Sequence, residues 1–306
     1  MSKIIIAGGS GNLGKLLSNY FVNQGHDVYI LSRAIQETSQ AGLQYVPWDG
    51  EQLGDWTKAL EDADILINLS GVSINRRFSS ANRKLLRDSR IGPTLLLGKA
   101  INGLINPPKL WINASGVSLF QRLVEINDEQ STATGQGFLA ALVQEWEAAF
   151  NAIDLVQTRK IILRISPVLS LNFGMLIPLI PLAKWGLGGH VGNGKQLVSW
   201  IHEEDFVAMV AWIMENGTEN NLFHACSPNP ISNAEFMAQL RNEVGRKLGL
   251  PVPKLLAEMG AFFQGVDAGL LLDSVPVTTK LTIENGFKFK FPYIDQAIAE
   301  IINRSK

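Results

Sequence analysis

Three glycines, Gly8, Gly11 and Gly14, stand three residues apart in GGSGNLG, between the apolar run KIIIA and the amphipathic run KLLSNYF. Glycine lacks a Cβ, so the chain can turn tightly there and an anion can approach the backbone. Where such a loop follows a strand and opens a helix, the free N–H groups and the helix dipole favour a phosphate. Gly8, Gly11, Asn12, Leu13 and Gly14 are then the residues that cradle a pyrophosphate. Glycines packed in an ordinary strand-to-helix turn would look similar at the triplet alone. The full strand, loop and helix context favours a dinucleotide. The next strand ends in Ser32 and Arg33, where an acidic residue commonly accepts hydrogen bonds from the ribose of NAD. An arginine offers a planar, permanently charged fork that suits a 2′-phosphate, and a serine adds a hydroxyl. The expected cofactor is therefore NADP, with NAD the less favoured alternative.

These residues need a frame, and the chain alternates strand-like and helix-like segments through its first half. KIIIA, DVYILSR, LQYVPW, ADILINLSG, KLWINASG and RKIILRISPVLS read as strands. Leu13, Leu16, Leu17, Tyr20 and Phe21 fall on one face of a first helix, and Gly25 is placed to end it. RKLLRDSRIGPTLLLGKAI and GFLAALVQEWEAAFNAI read as further helices. This alternation predicts an α/β fold, a Rossmann-type doubly wound parallel sheet. Beyond Leu171 prolines and glycines become dense, and NFGMLIPLIPLAKWGLGGHVGNGKQ is not one regular element. LVSWIHEED and NLFHAC return to strand. The helix FVAMVAWIMEN is expected to start at Asp205 as its N-cap, and NAEFMAQLRNEVGRKLG at Ser232 or Asn233. The expected division is a dinucleotide-binding domain of residues 1–170 plus about 195–230, and a smaller C-terminal lobe of 171–194 plus 231–306.

Composition narrows the classes. A formal net charge of −1 without charge runs gives no field for nucleic acid. A single cysteine, Cys226, excludes an internal disulfide and suits a reducing compartment. Met1–Ile6 is too short for a signal peptide. The longest apolar stretch, Met175–Trp185, is broken by Pro178, Pro181 and Lys184 and is too short for a bilayer. The expectation is a cytoplasmic protein acting on a small molecule, with neither nucleic acid nor membrane as partner.

GGSGNLG, LSR, INLSGVSI, SRIGPTLLL, FLAALVQEWE, GLGGHVGNGKQLVSWIHEEDF and LTIENGFKFKFP together resemble the extended short-chain dehydrogenase/reductase superfamily. Within it they resemble the atypical "epimerase family" proteins related to NAD-dependent epimerase/dehydratases, and the resemblance runs over nearly the whole chain. The family's C-terminal segment is a domain without an assigned role. The resemblance implies cofactor contacts at Leu69, Ser70 and Gly71, which end the fourth strand, and at Leu85 and Arg90 on the following helix. It implies others at Ala114 and Ser115, which end the fifth strand beside the nicotinamide, and at Pro167 and Val168 after the sixth.

Oxidoreductases of that superfamily generally use a serine with a tyrosine and a lysine four residues apart on one helix face. By resemblance, Phe138 stands at the tyrosine position and Leu142 at the lysine position, so neither a proton donor nor a charge is present. Tyr20, Tyr29 and Tyr45 are not placed to substitute, Tyr293 in the C-terminal lobe is at best a distant candidate, and Leu119 and Phe120 occupy the stretch after the fifth strand. Ser115 remains as the one catalytic candidate. His224 and Cys226 face one side of a strand without a CxxC, so no metal site is expected. His202 and Asp205 suit structural and capping roles better than acid–base chemistry. Arg76, Arg77 and Arg83 follow the fourth strand, where a loop can meet a ligand or simply face solvent. Two functions follow: an NADP-dependent oxidoreductase or epimerase-like enzyme, or an NADP(H)-binding sensor or scaffold with little turnover.

Overall fold

The computed structural model describes residues 1–35, 38–216 and 219–304. The first half is built from strands β1 (Lys3–Ala7), β2 (Asp27–Ser32), β3 (Leu43–Pro47), β4 (Ile65–Asn68), β5 (Leu110–Gly116) and β6 (Arg159–Ile165). Helices α1 (Asn12–Asn23), α2 (Ser80–Ile101) and α3 (Phe138–Asn151) alternate with them. Short strands β7 (Val168–Leu169), β8 (Leu197–Val198) and β9 (Ile201–His202) flank helix α4 (Leu176–Lys184). Then come α5 (Glu203–Glu215), β10 (Leu222–Ala225), β11 (Ile231–Ser232) and α6 (Asn233–Glu243). The tail adds α7 (Lys254–Gln264), α8 (Gly269–Leu272), α9 (Leu281–Glu284) and α10 (Ile294–Asn303).

Among the described residues, seven parallel strands form one sheet in the order β10-β6-β5-β4-β1-β2-β3. The chain winds outward from β1 to β3, then crosses back to β4 on the other side of β1. That reversal opens a crevice at the carboxyl ends of β1 and β4, where ligands of such sheets bind. Helices cover both faces, which explains why β1 is apolar without alternation: Ile4, Ile5 and Ile6 are all fully buried. Ile4 and Ile6 pack with Leu17 and Phe21 of α1 and with Phe206 and Met209 of α5. Ile5 packs on the opposite face with Trp111, with Leu97 of α2 and with Phe150 of α3. Each such aliphatic side chain contributes about 1.5–3 kcal/mol on burial.

A separate apolar cluster joins Leu176 and Ala183 of α4 to Phe236 and Leu240 of α6 and to Ile298, Ile301 and Ile302 of α10. Ser232 opens α6 with a capping box to Glu235. No described helix is long and apolar enough to cross a membrane.

Three expectations are corrected. RKIILRISPVLS is not one strand: it breaks at Ser166 and Pro167. Ser166 donates both its N–H and its hydroxyl to the Ala225 carbonyl, and proline has no N–H for the ladder. Val168–Leu169 then pairs with Ile201–His202 outside the main sheet. Helix α5 starts before Asp205. His202 is its N-cap, with Nδ1 accepting the Glu204 N–H at 3.1 Å. Asp205 instead accepts the N–H groups of Lys290 and Phe291 at 2.7 and 2.9 Å, docking the tail. The α6 pattern stops at Glu243, and Gly245, at a φ of +74°, turns the chain away.

Candidate functional site

At the carboxyl end of β1 the glycine loop passes against the end of β4. Gly8 has a φ of +73°, and a Cβ there would meet the backbone of Leu69 and Ser70 at 2.9–3.0 Å. A Cβ at Gly14 would lie 2.4 Å from Gly9, so this glycine lets α1 close onto the loop. Gly11 differs: a Cβ there would meet only the Gly8 carbonyl at 3.4 Å, and the residue is exposed. Gly11 is the N-cap of α1 and brings no side-chain cap, and no acidic residue follows in the first turn. The first helical bond runs from Lys15 N–H to the Gly11 carbonyl at 2.9 Å. The N–H groups of Asn12, Leu13 and Gly14 therefore have no acceptor among the described residues and point out from the positive end of α1.

Ser32, buried at the end of β2, accepts the Ala34 N–H at 3.2 Å. Arg33 beside it is exposed and has no ion pair among the described residues.

The end of β4 is shaped by a buried amide network. Asn68 donates to the Asn113 side-chain oxygen at 2.7 Å and accepts the Ser70 N–H at 3.0 Å. Thr94 of α2 joins them and accepts the Trp146 indole N–H at 2.9 Å. These bonds hold the Leu69–Gly71 corner, yet the buried Ser70 hydroxyl finds no partner among the described residues. A buried hydroxyl without a partner is costly and calls for an explanation. Arg90 lies beneath Gly71, where a Cβ would be 3.1 Å from its guanidinium carbon. It donates to the carbonyls of Leu86 and Val72 and faces the Trp146 ring. Burial, with the Arg76 charge second, brings its pKa down to about 10. Leu85 is exposed on α2. Ala114 and Val168 are buried, and Pro167 is exposed.

Ser115, at the end of β5, is tied into a polar row across three strands. Ser115 pairs with Arg164 in register, and Arg164 with His224. The Ser115 hydroxyl donates to Glu147 Oε1 at 2.5 Å. Arg164 grips both oxygens of that carboxylate, Nε to Oε1 at 2.8 Å and Nη2 to Oε2 at 2.7 Å. Arg164 Nη1 also donates to His224 Nε2 at 3.3 Å. His224 Nδ1 then carries the proton and donates to the Thr278 carbonyl at 2.9 Å. Burial, ahead of the nearby charges, pushes the His224 pKa down. Glu147 and Arg164 were not singled out in the sequence. The available signal was an arginine inside an otherwise apolar strand, a position where a charge must find a partner.

Residues 4–226 match the model of the NAD dependent epimerase/dehydratase family. The chain belongs to that family. It is similar to "Epimerase family protein SDR39U1" of Homo sapiens, 30% identical over 304 residues that cover 98% of this chain and 99% of the relative. It is equally similar to "Epimerase family protein YfhF" of Bacillus subtilis, 30% identical over 305 residues, 98% of this chain and 97% of the relative. A crystal structure of human SDR39U1 (isoform 2) with NADPH superposes with a TM-score of 0.87 at 28% identity, covering 98% of this chain and 99% of that one. MoeE5 in complex with UDP-glucuronic acid and NAD shares the fold, with a TM-score of 0.78 at 16% identity over 99% and 100% of the two chains.

In this epimerase/dehydratase family member, Phe138 belongs to an apolar cluster with Phe78 and Leu86. Its ring packs 5.1 Å from that of Phe78, with the Arg83 guanidinium nearby, and Leu142 is buried in the same cluster. The α3 residue that reaches Ser115 is Glu147. Arg76 and Arg77 of the β4–α2 loop and Arg83 in the first turn of α2 hold carbonyls: Arg76 that of Ser73, Arg83 that of Phe78 and Arg77 that of Phe262 on α7. His202, whose Nε2 faces Glu300 at 3.0 Å, uses both ring nitrogens structurally. Glu204 and Glu300 come close to His202 but are paired with Lys290 and Arg304. Cys226 is fully buried against the β5–α3 side of the core, and burial pushes its thiol up. A cavity of about 790 Å³ lies between the GNGKQ turn, α7 and α8, lined by Asn193, Gln196, Arg122, Lys254 and Asp273. Its size suits a small molecule. Neither the glycine loop nor Ser115 lines it.

Proposed function

We propose that the chain is an NADP(H)-binding, short-chain dehydrogenase/reductase-like protein, an oxidoreductase or nucleotide-sugar-epimerase-like enzyme that works without the tyrosine and lysine pair. The observation that carries the reading is the cradle at the sheet reversal: free N–H donors of α1, an open Gly11 and the unpartnered Ser70 hydroxyl. The NADPH in human SDR39U1, a full-length relative, supports the same assignment. When bound, a nicotinamide supplies hydride exchange. The chain contributes Asn12, Leu13 and Gly14 as donors to the pyrophosphate, with Gly8 and Gly11 leaving the space. Ser32 and Arg33 hold the 2′-phosphate end. Leu69, Ser70, Gly71, Leu85 and Arg90 line the adenosine and pyrophosphate path, and Ala114, Ser115, Pro167 and Val168 the nicotinamide end. The substrate enters between the dinucleotide domain and the lobe formed by residues 171–194 and 231–306. The absence of a tyrosine or lysine at positions 138 and 142 favours a second reading, an NADP(H) sensor or scaffold with little turnover.

Thermal unfolding with each cofactor tests the assignment. A ligand at 100 times its Kd stabilises by about 2.7 kcal/mol. For 306 residues unfolding with about 2.1 cal/mol/K each, that raises Tm by about 4 °C. NADPH is expected to give the larger shift, and Arg33→Ala to erase its advantage over NADH. Equal shifts with both cofactors in the unaltered protein would defeat the NADP assignment.

A further inference from the structure

Serine has one donor hydrogen and two lone pairs. At Ser115 the hydrogen is directed at Glu147 Oε1, 2.5 Å away. Three donors converge on the Glu147 carboxylate, two from Arg164 and one from Ser115, so it offers acceptors only. Arg164 is held in turn by His224 Nε2 and by the Phe120 ring, 5.3 Å from its guanidinium carbon. The Glu147 and Arg164 side chains are only 12% and 9% exposed, and His224 is fully buried. The arrangement is therefore set by packing and is not free to rotate with each ligand.

We propose that Glu147, pinned by Arg164, holds the Ser115 hydroxyl proton and so presents Ser115 to the cleft as a hydrogen-bond acceptor, selecting a ligand that brings a hydroxyl donor over one that brings a bare carbonyl oxygen. The proposal rests on the reading that the cleft at the end of β5 takes the ligand beside the cofactor. Glu147 and Arg164 are positioning residues, and Ser115 is the group that meets the ligand. An unconstrained serine would donate to a carbonyl as readily as it accepts from an alcohol. Here the donor is already spent inside the protein, and a carbonyl oxygen would face the Oγ lone pairs, an unfavourable pairing at a buried atom.

Ser115→Cys turns the polarity into a titration, because a thiolate is the species alkylated by iodoacetamide. A carboxylate beside the thiol disfavours the thiolate. The introduced thiol is expected to titrate above about 8.5, the value of an unperturbed cysteine. Adding Glu147→Gln is expected to lower that value by about one unit, close to tenfold in alkylation rate at pH 8. The native protein serves as background, since Cys226 is fully buried. If the double variant does not fold, the single variant decides alone. Titration below the ordinary value, no response to Glu147→Gln, or no alkylation at any pH overturns the proposal. The ligand side is tested on the cofactor-free protein by ligand-observed NMR with cyclohexanol and cyclohexanone, which differ only at the group that meets Ser115. The alcohol is expected to bind more tightly, with the preference lost in Ser115→Ala. Equal or tighter binding of the ketone, or binding of neither, overturns it. NADPH protection of the Ser115→Cys thiol reports separately on the cofactor reading, so that reading can fail while the polarity stands.

Discussion

Replacing Glu147 by glutamine keeps the side chain's size and removes its charge, leaving Arg164 without its counter-ion inside the fold. The Arg164 side chain is 9% exposed and loses a two-point contact at 2.7 and 2.8 Å, and Ser115 loses its acceptor's charge. Breaking one side of a buried pair costs about 3–5 kcal/mol, mostly because the remaining charge stays desolvated. With about 2.1 cal/mol/K of unfolding entropy for each of 306 residues, the expected fall in Tm is about 5–8 °C. Calorimetry or thermal circular dichroism reads it directly. The double change Glu147→Leu with Arg164→Met removes both charges and is expected to recover most of the loss. A single-variant shift below about 1.5 °C would refute the reasoning, because the pair would then be solvated or replaceable by water. Recovery failing in the double variant while the single loss is large would mean that Ser115 or His224 depends on the charges for its own packing.

Three further outcomes are expected. Gly11→Val should abolish the NADPH-induced Tm shift with little change in the cofactor-free Tm, since its Cβ meets only the Gly8 carbonyl; Gly14→Ala, with a Cβ at 2.4 Å from Gly9, should instead lower the cofactor-free Tm. Burial pushes the pKa of both His202 and His224 down, so each is neutral when folded and protonated first in the unfolded chain. Their contribution is present above about pH 6.5 and is lost as pH falls toward the folded values, by up to about 1.4 kcal/mol per pH unit for each; urea midpoints from pH 7.5 to 5 should show it, with a smaller slope in His202→Asn, which keeps an N-cap acceptor but does not titrate. Glu129→Ala should free the tail, because this buried carboxylate accepts the Thr279 hydroxyl at 2.7 Å and the N–H groups of Lys280 and Leu281; hydrogen exchange should rise there and not in β1.

Local pattern was enough for much of this protein. The uninterrupted aliphatic run of β1, the one-sided apolar face of α1 and the repeated strand–helix alternation demand a parallel sheet covered on both faces, because no other arrangement buries those residues. The turn at the glycine loop was legible for the same reason: its geometry depends on a few consecutive residues and the elements on either side of them. Folding decided what depends on side chains far apart in the chain. Asp205 looks like a helix cap in sequence, yet its carboxylate is claimed by Lys290 and Phe291, and His202 caps the helix in its place. A proline broke the sixth strand where periodicity alone carried it on. The family resemblance points to positions 138 and 142, whereas Ser115 donates to Glu147 from the same helix, and Glu147 is gripped by Arg164, which register sets between Ser115 and His224. Register and helix rotation about a sheet are set by the packing of the whole core, so a constellation drawn from four separate elements has no local signature beyond an isolated charge in an apolar strand.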